Sequence, residues 1–210
     1  MSNNITWAIF IFIWALLYSL YEIEIEGKHG WAQKLPVYRY IKPNSFFPLG
    51  LSSWNFLMLF FVFISLFHPL IFSKLFGLNM KEKHIYVLVI SLLVWVMVED
   101  YMWFNFNPYY NKDPNSKEYK YLKLKQFNKE NVKWHKFGFL GLPKVFYLIF
   151  ILIFINIGIF YYKKNIIDPE NDICFIRQFI TYIILSIIAI YFSKHYCIWY
   201  MKNLDKRKKL

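Results

Sequence analysis

Five apolar runs dominate the chain, at residues 5–22, 54–73, 85–105, 144–162 and 177–199. Each reaches or approaches the roughly 20 residues that a helix needs to cross a hydrocarbon core of about 30 Å. That core offers the backbone no hydrogen bonds, so a crossing segment has to satisfy its own amides, which a helix does within one run. The pattern predicts an all-α integral membrane protein, a bundle of about five transmembrane helices in one domain covering residues 1–210. Hydrophobic residues make up 58% of the 210 and aromatic residues 23%, and they come in blocks rather than in the short amphipathic stretches of a soluble domain. The first run has no basic residues ahead of it and no small-residue cleavage site, so it reads as a retained anchor. The longest connection, residues 106–143, is too short and too polar to bury a core of its own.

The net charge of +12 invites a nucleic-acid reading, but the cations lie between the apolar runs, where a polytopic protein carries its cytoplasmic loops. No nucleic-acid partner is expected. If the first and third connections and the tail share one side, that side holds 18 cations against six on the other. The split predicts an N-terminus outside, a cytoplasmic C-terminus and a basic cytoplasmic loop over 106–143. Five spans make this consistent, and a multi-pass placement follows; a prokaryotic inner or plasma membrane is the expected location. Within the loop, KEYKYLKLKQF at residues 117–127 interleaves lysines with apolar residues and suits the bilayer surface, with anionic lipid headgroups as its partners.

At residues 21–31 the stretch YEIEIEGKHGW places Glu22, Glu24 and Glu26 at alternate positions just where the first run ends. A strand would put all three on one face, yet it would need a partner strand to satisfy its edge. Continuing the helix is cheaper. On a helix Glu22, Glu26 and His29 share a face while Glu24 points toward headgroups or water. Gly27 and Gly30 are poor helix residues, so His29 is the weakest member of that face.

A second acidic stretch, VEDYMWFNFNP, ends the third run, with Glu99 and Asp100 about two helical turns before Pro108. Carboxylates within a span face the bundle interior and mark candidate functional sites. With alternating spans, these acids reach the same membrane depth as Glu22 and Glu26. Trp134 and His135 precede the fourth span, and Lys194 and His195 fall in the corresponding third of the fifth.

Clustered carboxylates need protons, cations or metal ions to offset one another in a low dielectric. One reading is a site for a divalent metal (Fe, Mn or Zn) held by Glu22, Glu26, His29, Glu99, Asp100 and His135, since Glu26 and His29 have the ExxH spacing of helical di-metal sites. A second pairs the acids with Lys28, Lys194 or loop lysines, with Asn107 as a capping side chain. A third uses them to handle protons or substrate. Lys194, His195 and Asn107 form a possible additional polar site.

Other features are structural in character. Cys174 and Cys197 lie 23 residues apart at opposite ends of the last run, about 35 Å along a helix, too far to bridge. His68 and His84 fall toward the opposite face and read as interfacial packing, with Pro69 bending or ending the second span. There is no GxSxG, Walker loop, HExxH or paired HxxxH box.

EIEIEGKHGWAQKLP followed, two spans later, by VEDYMWFNFNP resembles a family of small polytopic prokaryotic membrane proteins to which no activity is attached. The resemblance implies that both acidic segments belong to one unit. Two functions are expected from the residues: a metal-dependent membrane enzyme acting on a lipid or other amphiphile at the cytoplasmic interface, or a non-enzymatic subunit for binding or transport whose acids serve as ion pairs or as a proton or cation relay.

Overall fold

The computed structural model describes residues 4–27, 32, 34–42, 50–72, 82–110, 142–167 and 175–207. Five helices carry the described chain: α1 (Asn4–Glu26), α2 (Ser53–Ile71), α3 (Glu82–Phe106), α4 (Lys144–Ile167) and α5 (Phe175–Arg207). All five are long and apolar enough to cross a membrane. The protein is therefore a multi-pass helical membrane protein in its architecture. One feature departs from the all-α expectation: β1 (Arg39–Ile41) pairs antiparallel with β2 (Leu51–Ser52), in the connection that leads into α2. This pair carries the chain to the first residue of α2, where Ser53 N–H donates to Tyr38 O at 2.8 Å.

The helix ends are set by local chemistry. α1 runs through the three glutamates and stops at Glu26, because Gly27 adopts φ +60° and returns its N–H to Ile23 O at 2.9 Å. A left-handed residue just beyond the last turn suits glycine, which carries no Cβ to clash. α2 begins with a capping box, in which Ser52 and Asn55 exchange side-chain and backbone hydrogen bonds. Near its other end Pro69 cannot donate to Ser65 O, the carbonyl four residues back. The ring of His68 does so instead, with Nδ1 at 2.7 Å, and the helix ends two residues after the proline.

Neighbouring contacts fix the directions. Trp7 Nε1 donates to Ser91 Oγ at 2.8 Å near one end, and Asn107 Nδ2 donates to Gly27 O at 2.8 Å near the other, so α1 and α3 run in parallel. α5 joins them in that direction, since Tyr196 stacks edge-on against Phe106 at 5.5 Å while Tyr182 lies beside Val94 around a shared cavity. α2 and α4 run the other way: Phe61 meets Trp14 while Trp54 meets Tyr21, and Phe160 meets Tyr86 while Phe146 lies near Tyr101. Both acidic segments consequently arrive at one end of the bundle.

α3 is the central helix. Half of its span is buried, against 39% for α1 and 22% for each of α2, α4 and α5. The outer helices turn large apolar side chains outward, such as Leu57 on α2, Phe154 on α4 and Ile187 on α5. These surfaces suit hydrocarbon. Where the surroundings are as apolar as the side chains, helices are held by close packing and interhelical hydrogen bonds rather than by escape from water. The indole bond from Trp7 to Ser91 and the aromatic contacts of Trp95 with Trp14 and Tyr18 are of that kind.

Candidate functional site

The end of the bundle where α1 and α3 finish is where charged side chains enter the packed interior. Glu22 and Glu26 are one helical turn apart on α1, and both turn inward: Glu26 is buried and Glu22 half-buried, while Glu24 between them is exposed. The helical phase read from the sequence is the one observed. On α3, Glu99 is buried and Asp100 half-buried.

The centre of the cluster is a contact between two acids. The carboxyl of Glu22 meets the carboxyl of Glu99, and the hydroxyl of Tyr18 hydrogen-bonds to Glu22 from one turn earlier on α1. Glu26 and Asp100 lie close enough for their charges to act on the pair. Glu99 Oε1 receives no hydrogen bond from a donor among the described residues. Trp95, one turn before Glu99, is buried and packs its ring edge-on against Tyr18 at 4.8 Å. Two carboxyl groups in contact repel as anions, so this arrangement requires a proton or a cation between them.

Glu26 is also a structural tie. Its Oε1 accepts the Ala32 N–H at 2.7 Å and the Trp54 indole N–H at 3.1 Å. One oxygen thereby ties the end of α1 to the following connection and to the start of α2. Ala32 sits at φ +53°, a left-handed conformation that costs an L-residue on the order of 1 kcal/mol. The residue is held there from both sides, because Arg39 Nη2 donates to Ala32 O at 2.8 Å. Asn107 makes a second tie. It is fully buried, donates to Gly27 O and accepts the Tyr109 N–H at 3.1 Å, so it caps the end of α1 from the turn that follows α3.

The remaining candidates separate. Lys194 is half-buried on α5. His195 is exposed, its ring 5.9 Å from Tyr191 on the same helix, and the structure does not bring it into the acidic cluster. α5 reaches the acids through Tyr200 instead, whose hydroxyl donates to Glu24 Oε2 at 3.4 Å. Glu24 is thus exposed as expected but held by a neighbour. His29 and His135 lie outside the described residues. Among the described residues no three His, Cys, Asp or Glu side chains converge in the manner of a metal site.

Sequence reasoning missed Tyr18, Trp54, Ala32 and Tyr200. Tyr18 was within reach, since it precedes Glu22 by four residues and so shares its face. Ala32 carries no such signal: its part depends on a backbone conformation that alanine rarely adopts. The chain matches no protein-family model, and no curated protein or solved structure matches it either.

Proposed function

We propose that the protein is a membrane-embedded cation-handling protein whose working centre is the Glu22 and Glu99 carboxyl pair, holding a proton or exchanging it for a divalent metal ion at one membrane face. The contact of the half-buried Glu22 carboxyl with the buried Glu99 carboxyl, between α1 and α3, carries this reading. Acids inside spans are costly to keep, and a pair that must share a proton or cation is the arrangement that takes up and releases one. Tyr18 orients Glu22, and Asp100 supplies further negative charge nearby. Glu26 and Asn107 hold the helix ends on which the pair is mounted.

Infrared spectroscopy together with metal analysis of the purified protein tests this. The wild type should show either a protonated carboxyl stretch or bound divalent metal in stoichiometric amount. Glu99→Gln and Glu22→Gln should each abolish that signal while the protein stays folded, because glutamine donates to the remaining carboxylate as a protonated acid does. A wild type with neither signature sinks the proposal, as does a signature that survives both substitutions.

A second reading keeps the same pair but loads it with metal for chemistry on a lipid or amphiphile, with Asp100, His29 and His135 as further ligands. The nearness of Asp100 to the pair favours it, as a third oxygen donor. In either reading the acidic end faces the cytoplasm of a prokaryotic cell, N-terminus outside, on the strength of the 18 to six cation asymmetry. In a cysteine-free background, single cysteines at position 3 should react with an impermeant thiol reagent on intact cells and those at position 115 should not. Labelling at 115 from outside would reverse the orientation.

A further inference from the structure

On the side of α3 away from Glu99, α4 and α5 meet at the rings of Phe160 and Phe175, whose centroids are 5.2 Å apart. Beyond that contact they leave a cavity of about 650 Å³, floored by Val94, Met97 and Val98 of α3 and walled by Phe146 of α4 and Ile187 of α5. Its volume falls in the range of roughly 300–1,000 Å³ that small-molecule sites occupy. The lining is almost wholly apolar, with tyrosine hydroxyls and Ser186 as its few polar groups.

Three observations say what fills it. First, the cavity is open sideways: Ile183 and Ile187 line it and are nonetheless 59% and 62% exposed. Every lining residue but Leu142 belongs to a candidate span, so what that opening meets is the hydrocarbon of the bilayer. Second, the cavity runs from Phe179 to Tyr191 along α5, about 18 Å at 1.5 Å per residue, close to the roughly 15 Å depth of one leaflet. Third, a cation lies at the end nearest the membrane boundary: Lys194, half-buried, is one turn beyond the lining residues Ile190 and Tyr191 on the same face of α5. Tyr101 and Tyr191 bring hydroxyl groups to the same end.

We infer that this cleft is a lipid site, holding one acyl chain of an anionic phospholipid with its phosphate at Lys194. The chain lies against Met97 and Ile187 and stops at the Phe160 and Phe175 contact. Its driving force is packing against a preformed apolar wall, and Lys194 selects the headgroup. Neither element involves the carboxyl pair, so this inference stands or falls separately from the proposed cation site.

The test uses the full-length protein in phosphatidylcholine nanodiscs doped with phosphatidylglycerol bearing a photoactivatable group on one acyl chain. Labelled peptides should come from the cleft faces of α3, α4 and α5. Ile187→Trp, placed at an exposed position and projecting a larger ring into the cleft, should lower that labelling severalfold, whereas Leu57→Trp on the outer face of α2 should not. Lys194→Gln should leave labelling by a phosphatidylcholine probe intact. It should cut the preference for phosphatidylglycerol by roughly fivefold, which corresponds to about 1 kcal/mol per cation near an anionic headgroup. Label spread evenly over all outward faces of the wild type would overturn the inference. Unchanged labelling in Ile187→Trp would overturn it too, and so would disulfide crosslinking between two copies through cysteines at position 187, which would show a second chain in the cleft. The wild-type label map decides the question even if a variant fails to fold.

Discussion

The two faces of α3 are built on opposite rules. Toward α1 the helix presents Trp95 and Glu99, both buried, and the interface is closed by aromatic contacts and by the meeting of two carboxyl groups. Toward α4 and α5 it presents Val94, Met97, Val98 and Tyr101, and the neighbours stand off far enough to leave a cavity of about 650 Å³. The apolar face is the loose one and the charged face is the tight one. In water the reverse is usual, because burying apolar area drives packing there. In a bilayer an apolar side chain gains little by leaving lipid for protein, whereas a polar group gains an interhelical partner it finds nowhere else. Trp7 with Ser91, Asn107 with Gly27 and Glu26 with Trp54 are three such partnerships, and all converge on α1 and its ends.

Two methionines of α3 allow the most direct attempt to break this contrast. Met102 is fully buried three residues after Glu99, and Met97 is half-buried on the cleft wall. Met102→Ala should destabilise the protein by about 3 kcal/mol, since it leaves a cavity where the surroundings cannot collapse. Met97→Ala merely enlarges a space that already exists, and should cost less than about 1 kcal/mol. Reversible unfolding in mixed detergent, run on both variants side by side, measures the difference. Equal losses would mean that the cleft wall is packed as tightly as the α1 side and that the contrast drawn here is false.

The same contrast explains what the sequence could and could not convey. The five spans were legible because length and continuous apolarity alone define them. The phase of the acids was legible too, since the four-residue step from Glu22 to Glu26 fixes a common face and excludes Glu24. The cleft was not. α4 is apolar on every side of its span, so no stripe in its sequence separates a packed face from a lipid-facing one. The tie from Glu26 to Ala32 and Trp54 was equally hidden, because it depends on a left-handed alanine and on where the chain returns to begin α2. The ExxH spacing joins Glu26 to His29, which lies outside the described residues, and gives no sign that one oxygen of Glu26 accepts from two N–H donors. The short β pair escaped as well, since strands of three and two residues are too brief to show a period.

The alternating glutamates at the end of α1 give the finest test of how the tight face is held. Glu26 and Glu24 are two residues apart, chemically identical and both hydrogen-bonded, yet the structure gives them unequal weight. Glu26 is buried and accepts from Ala32 at 2.7 Å and Trp54 at 3.1 Å. Glu24 is exposed and accepts only a long bond, 3.4 Å, from Tyr200 among the contacts described. Glu26→Ala strands the buried Ala32 N–H and takes the acceptor from the half-buried Trp54 indole, and a buried donor left without an acceptor costs about 1–3 kcal/mol. Some of that is recovered because a buried charge disappears with the side chain. A net loss of about 2 kcal/mol is expected. Glu24→Ala frees a hydroxyl that lies near the surface and can turn to water or a headgroup, so its loss should stay under about 1 kcal/mol. Tryptophan fluorescence separates the two mechanisms beyond the stability numbers: Glu26→Ala should shift the emission, since Trp54 loses its acceptor, and Glu24→Ala should not. A larger effect at position 24 than at 26 would mean that α5, through Tyr200, rather than the α1 and α2 connection, holds the acidic end together. The tight face would then extend around α1 to α5, and the carboxyl pair would rest on a three-helix support instead of a two-helix one.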